Sequence, residues 1–236
     1  MGGEMKERLL NPYVGRLSAE KVAEGMNVAR ANAARLASDA RTMLEMGRLE
    51  TAAALAILAI EESGKVSLLR QLALARDERE AKDTWKQLRS HTAKNAMWVF
   101  PEFVAHGARR LDEFAGVFDP SSDHTDVLDK LKQVCVYSDC YGSARWHRPE
   151  GTMTADLANH LVKTAEAFGA GDEVSAREIE LWIQHMRPVW RRGLGWQRKA
   201  LANWWTQVQA EGLAPGGEDQ MRNFIWGSDA DKNESS

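Results

Sequence analysis

The chain has 236 residues, 44% of them hydrophobic and 28% charged, with a formal net charge of −3 and a pI near 6.1. That length suits one generous domain, or one domain with a helical extension, and the composition excludes fibrous and wholly disordered chains. The slightly acidic balance excludes nucleic-acid binding through bulk charge, so any RNA contact must come from a local basic patch.

Residues 1–17 read as an N-terminal arm. Its start, MGGEMKERLLNP, has no apolar signal core. Gly2 is followed at the sixth position by Lys6, where myristoylation requires Ser or Thr. Ser18 can cap a first helix over 19–47, whose apolar positions Val22, Met26, Ala29, Ala33, Leu36, Ala40 and Met43 form a helical seam that Gly47 would stop. A second helix, about 49–75, opens on TAAALAILAI and should be the central, most buried one. Its run Ala52–Ile60 is too short to span a bilayer. Asp77 with Glu80 starts a third helix reaching about 100, which Pro101 breaks, with a further helical stretch toward Glu113. After the loop DPSSDH, a fourth helix is expected over 125–142, with Leu128, Leu131, Val134 and Cys135 facing inward. Cys135 and Cys140 are the only cysteines, too few and wrongly spaced for a structural zinc site, which wants about four ligands. HRPEGT (147–152) connects to three weaker helices near 154–168, 173–193 and 196–211. The tail 228–236 carries nothing to bury and should be disordered. The pattern predicts an all-α bundle over 18–145 with a C-terminal helical extension over 152–227 packed on it.

Three groups of polar residues sit where a core is expected. Glu61 and Glu62 end the apolar run, each within one turn of Lys65. A lone buried carboxylate is costly, so at least one needs a cationic partner. The bland reading is a salt bridge to Lys65 that fixes helix register; the sharper one is a polar site inside the bundle. In the third helix, Gln87, His91, Lys94 and Trp98 form one stripe, beside the apolar stripe of Ala81, Trp85 and Leu88. Antiparallel packing on the second helix would bring His91 and Lys94 to Glu61 or Glu62. In the fourth helix, Asp139 shares the inward face of Leu131 and Cys135, with Tyr137 beside it. These groups are expected to converge.

The ordered set Glu61-Glu62-Ser63-Gly64-Lys65, then Trp85, His91 and Lys94, then Tyr137-Ser138-Asp139, resembles the AbiV-like abortive-infection proteins, a branch of the HEPN helical superfamily. The upstream stretch ARANAARLASDARTML (29–44) is similar in character, and the likeness spans about residues 22–142. The resemblance implies a HEPN-type antiparallel bundle, often a homodimer, that arrests the host cell in anti-phage defence by acting on RNA or translation. Many HEPN proteins are metal-independent ribonucleases that use Arg, four to six intervening residues, then His. The His moves protons at the 2′-hydroxyl or leaving oxygen and the Arg steadies phosphate. Here no histidine has an arginine at that offset; Lys86 stands four residues clear of His91. If the chain is an endoribonuclease, the expected catalytic residues are His91, Lys94, Glu62 and Asp139, supported by Glu61, Lys65 and Tyr137, with Lys86 and Arg89 on phosphate.

Six of the nine tryptophans follow position 180, and Arg187, Arg191, Arg192, Arg198 and Lys199 fall in a stretch without acids. This suits RNA or ribosome contact, a protein partner or a membrane-surface helix. The plain alternative is that the tryptophans pack the last helices on the bundle and the arginines are solvated. A ferritin-like di-metal site is not expected, because no Glu-x-x-His occurs. The chain is therefore expected to be cytoplasmic, with no metal, cofactor or membrane. Its partners would be RNA, the ribosome or a phage-encoded activator. The alternative is a non-catalytic interaction or sensor module whose polar cluster is structural.

Overall fold

The computed structural model describes residues 11–119, 121–214 and 218–227. The predicted tail 228–236, and the N-terminal arm up to residue 10, lie outside the described residues. The described chain is all-α apart from one small hairpin. Helix α1 (Ala19–Glu45) begins where the Ser18 side chain accepts from the Lys21 amide, and Gly47, at φ +71°, turns the chain out of it. Helix α2 (Leu49–Ala73) runs back along α1 and is buried on most sides, as its all-round apolar start predicts. Small side chains dominate this contact, with Ala33, Ala37, Ala40, Ala52, Ala53, Ala56 and Ala59 all buried.

The third helix is shorter than the sequence predicts. Helix α3 (Glu78–Arg89) starts with Asp77 accepting from the Glu80 amide at 2.8 Å. It stops at Ser90, whose ψ of 132° leaves the helical region and whose side chain caps the short α4 (His91–Lys94). The break therefore falls eleven residues before Pro101, which instead sits in the first turn of α5 (Phe100–Ala105). A 3-10 segment (Leu111–Phe118) follows, its Phe114 stacked on Phe100 at 4.3 Å. Helix α6 (His124–Val136) ends six residues before the predicted 142. Tyr137 is extended, and β1 (Cys140–Tyr141) pairs antiparallel with β2 (Arg145–Trp146). Tyr, Ser, Asp and Cys are weak helix formers, so nothing carries the helix through this stretch.

Helix α7 (Ala155–Gly169) packs on α1 and α2 and adds Ala158, Leu161, Val162 and Ala165 to the main core, where Ile57, Ile60 and Leu128 lie. The bundle thus extends beyond residue 145 to the end of α7. Helices α8 (Ala176–Met186), α9 (Leu194–Ala210) and α10 (Glu218–Trp226) form the C-terminal extension. It docks on the C-terminal end of α2, where helical carbonyls lack partners within the helix. Trp182 Nε1 donates to the Arg70 carbonyl at 3.1 Å, and Arg187 donates to the Ala73 carbonyl at 2.7 Å. Among the described residues no helix is long and apolar enough to cross a membrane.

Candidate functional site

Glu61 follows Ile57 by one helical turn, and Ile57 is fully buried, so Glu61 is carried into the interior, where it is 3% exposed. Three cationic or basic side chains meet it there. Lys132 Nζ lies 2.5 Å from Oε1; His91 Nδ1 lies 2.8 Å and Lys94 Nζ 3.6 Å from Oε2. Lys132 also reaches Asp129 at 2.9 Å, so two carboxylates and two ammonium groups balance within one cluster.

Backbone architecture brings these groups together. Gly64, one turn beyond Glu61, packs against the last residue of α4. A Cβ at Gly64 would stand 2.0 Å from the Lys94 carbonyl oxygen, so only glycine lets this backbone approach. The Ser90 break turns His91 and Lys94 onto α2. Lys132 enters from α6, on the same face as buried Leu128 and Cys135. Burial lowers the Lys132 pKa, but hydrogen bonds to Glu61 and Asp129 outweigh it and hold the ammonium above its ordinary value of 10.5.

His91 differs from its neighbours in exposure. Its side chain is 56% exposed, against 8% for Lys94 and Lys132. Its Nδ1 lies 2.8 Å from the Glu61 carboxylate and 3.3 Å from Lys132 Nζ, the shorter contact being the one in which Nδ1–H donates to Glu61, while Nε2 has no hydrogen bond among the described residues. A buried carboxylate on one imidazole nitrogen, with the other facing outward, is the arrangement by which a histidine is fixed in one tautomer for proton transfer. Ligand atoms of Glu61, His91 and Asp129 also fall within 4.8 Å of one another, as metal ligands would. The chain already holds a cation between the two acids, the Lys132 ammonium.

Not every predicted residue joins the cluster. Glu62 pairs with Lys65 at 2.5 Å, as the salt-bridge reading predicts. Asp139 and Tyr137 do not face the core, because α6 has ended; both are exposed, and Asp139 Oδ1 accepts from the Cys140 amide at 2.7 Å. Lys86 is exposed beside Asp83 at 3.5 Å. Arg89 donates to the Tyr13 carbonyl and lies 5.5 Å over the Trp85 ring. Lys132 and Asp129 were missing from the sequence reading. The signal was available, since Lys132 shares a helical face with Leu128 and Cys135.

The C-terminal basic residues are largely engaged in packing. Arg187 is used on α2, Arg191 lies 3.4 Å from Glu80, Arg198 lies 3.2 Å from Asp112, and Arg192 lies 6.0 Å over the Trp196 ring. Lys199 is exposed. Trp204 is buried and Trp182, Trp190 and Trp205 are partly buried, whereas Trp196 and Trp226 are exposed.

A family model described as AbiV, of the HEPN class, matches residues 21–170, more than half of the chain and the whole of the bundle from the first turn of α1 through α7. No curated protein and no solved structure matches the chain. The match spans Glu61, His91, Lys94 and Lys132 and stops where the C-terminal extension begins: the chain belongs to the AbiV family of abortive-infection-type HEPN proteins.

Proposed function

We infer that the chain is a defence effector that arrests its host's growth by acting on RNA or translation, with His91 as the proton-transfer group. The observation that carries this reading is the 2.8 Å contact from buried Glu61 to His91 Nδ1, with the imidazole more than half exposed. In this reading His91 Nε2 takes a proton from a ribose 2′-hydroxyl, or returns one to the leaving oxygen, without a metal. Glu61 is a positioning residue. Lys132 and Lys94 hold the Glu61 carboxylate in place.

A second reading is a non-catalytic module that binds a phage or host protein. It is favoured by the neutralisation of Lys94 and Lys132 inside the cluster and by the engagement of Arg89 with Tyr13 and Trp85, which together leave no arginine beside His91 to steady a phosphate. One experiment separates the two. Wild type, His91→Ala and Lys94→Ala, each first verified as folded, are expressed with and without phage while growth and RNA integrity are followed. The catalytic reading expects His91→Ala to abolish growth arrest and RNA loss together. Full arrest by His91→Ala with intact RNA throughout would establish the non-catalytic reading instead.

A further inference from the structure

The Tyr137-Ser138-Asp139 motif lies outside the Glu61 cluster, yet the structure gives it a setting of its own. A groove of about 600 Å³ is lined by Tyr137, Asp139 and Tyr141 from the segment after α6, and by Lys130 and Gln133 from α6 itself. The segment is extended, so these three side chains alternate with their neighbours and share one face. Across the hairpin, Tyr141 pairs with Arg145, and cross-strand partners also share a face. Tyr137 is 57% and Tyr141 45% exposed, far more than aromatic rings that serve only packing. Asp139 Oδ1 is held by the Cys140 amide, while Oδ2 has no hydrogen bond among the described residues. The lining therefore combines two exposed phenol rings, Tyr141 with one edge contact to His147, a free acceptor on Asp139, one cation, Lys130, and Ser138, with Val134 as its only aliphatic member, while Arg145 stands opposite Tyr141 across the hairpin.

We propose that this groove is a nucleobase subsite for single-stranded RNA, preferring guanine. Tyr137 and Tyr141 offer stacking faces, and every base has a face to stack. The Asp139 carboxylate only accepts, which selects a base edge made of donors; guanine N1–H and N2–H₂ present two side by side. Lys130 and Arg145 meet the phosphates on either side. The inference rests on the RNA reading of the chain and adds a place where the substrate strand is held and read.

The test uses the full chain carrying His91→Ala, so that the probe stays whole, and measures fluorescence anisotropy with labelled UUGUUU and UUUUUU. Tyr137→Ala and Tyr141→Ala should each weaken binding of the guanine probe by at least about tenfold. Tyr137→Phe should bind as the parent does, and Asp139→Asn should erase the preference for guanine. All these residues are exposed, so the variants should fold. Unchanged affinity in both alanine variants overturns the subsite. If, with His91 restored, those variants also degrade RNA at the wild-type rate, the role of His91 survives without it. If no form binds or degrades RNA, the subsite and the RNA reading fall together. Lost growth arrest in Tyr137→Ala with unchanged RNA affinity assigns the groove to a protein partner and overturns the proposal.

Discussion

Helix α2 carries two charges, Arg70 and Glu61, that pair with other helices, and they are used differently. Near its C-terminal end, Arg70 pairs with Glu178 at 2.6 Å and lies 5.3 Å and 5.1 Å over the Trp182 and Trp204 rings. Every member of that group packs inward, and it fastens the extension to the bundle. Toward the middle of the same helix, Glu61 is held by Lys132, Lys94 and His91, but His91 keeps a face in solvent. The same rule, that a buried charge needs a partner, yields a fastening in one place and an oriented, half-exposed imidazole in the other. What separates them is one partner's exposure.

The comparison can be broken from either side. The largest expected effect is on the fastening: Arg70→Ala leaves Glu178 without its cation and should lower unfolding free energy by about 3–5 kcal/mol in urea titration. Glu61→Gln strands Lys94 without its counter-charge and should cost a similar amount, about 3–5 kcal/mol, but should also remove whatever activity His91 supports. A small Arg70 effect would show that the extension is held by its tryptophans and the Arg187 contact rather than by the Arg70–Glu178 pair. Gly64→Ala should cost about 1–3 kcal/mol by overpacking, since the Lys94 carbonyl must move. It should also displace His91, so activity should fall further than with other substitutions of equal instability.

Alkaline titration gives a smaller effect and distinguishes the two centres. The folded-state pKa of Lys132 lies above the ordinary lysine value of 10.5, so its contribution is fully present below the unfolded value and fades as pH rises through the folded one. Thermal melting should therefore show a loss above about pH 10 that Lys132→Met flattens. Burial moves the Arg70 pKa down from its ordinary 12.5 instead, the opposite sign, so Arg70 should contribute no loss of that kind. The smallest effect is expected for Glu62→Gln, which removes a partly exposed pair within one helix and should change stability by under about 1 kcal/mol, with activity intact.

Much of this was legible in the sequence. The Ser18 cap, the alanine seam and the apolar run define α1 and α2, and one of the acids ending that run, Glu61, does meet His91 and Lys94. The choice between adjacent acids was not legible. Glu61 follows Ile57 and Glu62 follows Leu58, and both look apolar in sequence; only Ile57 is fully buried, while Leu58 is 37% exposed. Asp139 was misplaced because helical periodicity was carried past Val136, where the chain turns to a hairpin. Lys132 was passed over because a lysine in a charged helix reads as solvated. Its inward face is legible from Leu128 and Cys135, but its partner Glu61 comes from a distant part of the chain, and no local pattern encodes that meeting.

The orientation of the His91 ring is most directly read from its nitrogen-15 shifts at a pH where the imidazole is neutral. The account predicts a protonated Nδ1, a bare Nε2, and loss of that tautomer preference in Glu61→Gln. A proton resident on Nε2, or shifts indifferent to Glu61→Gln, would contradict it.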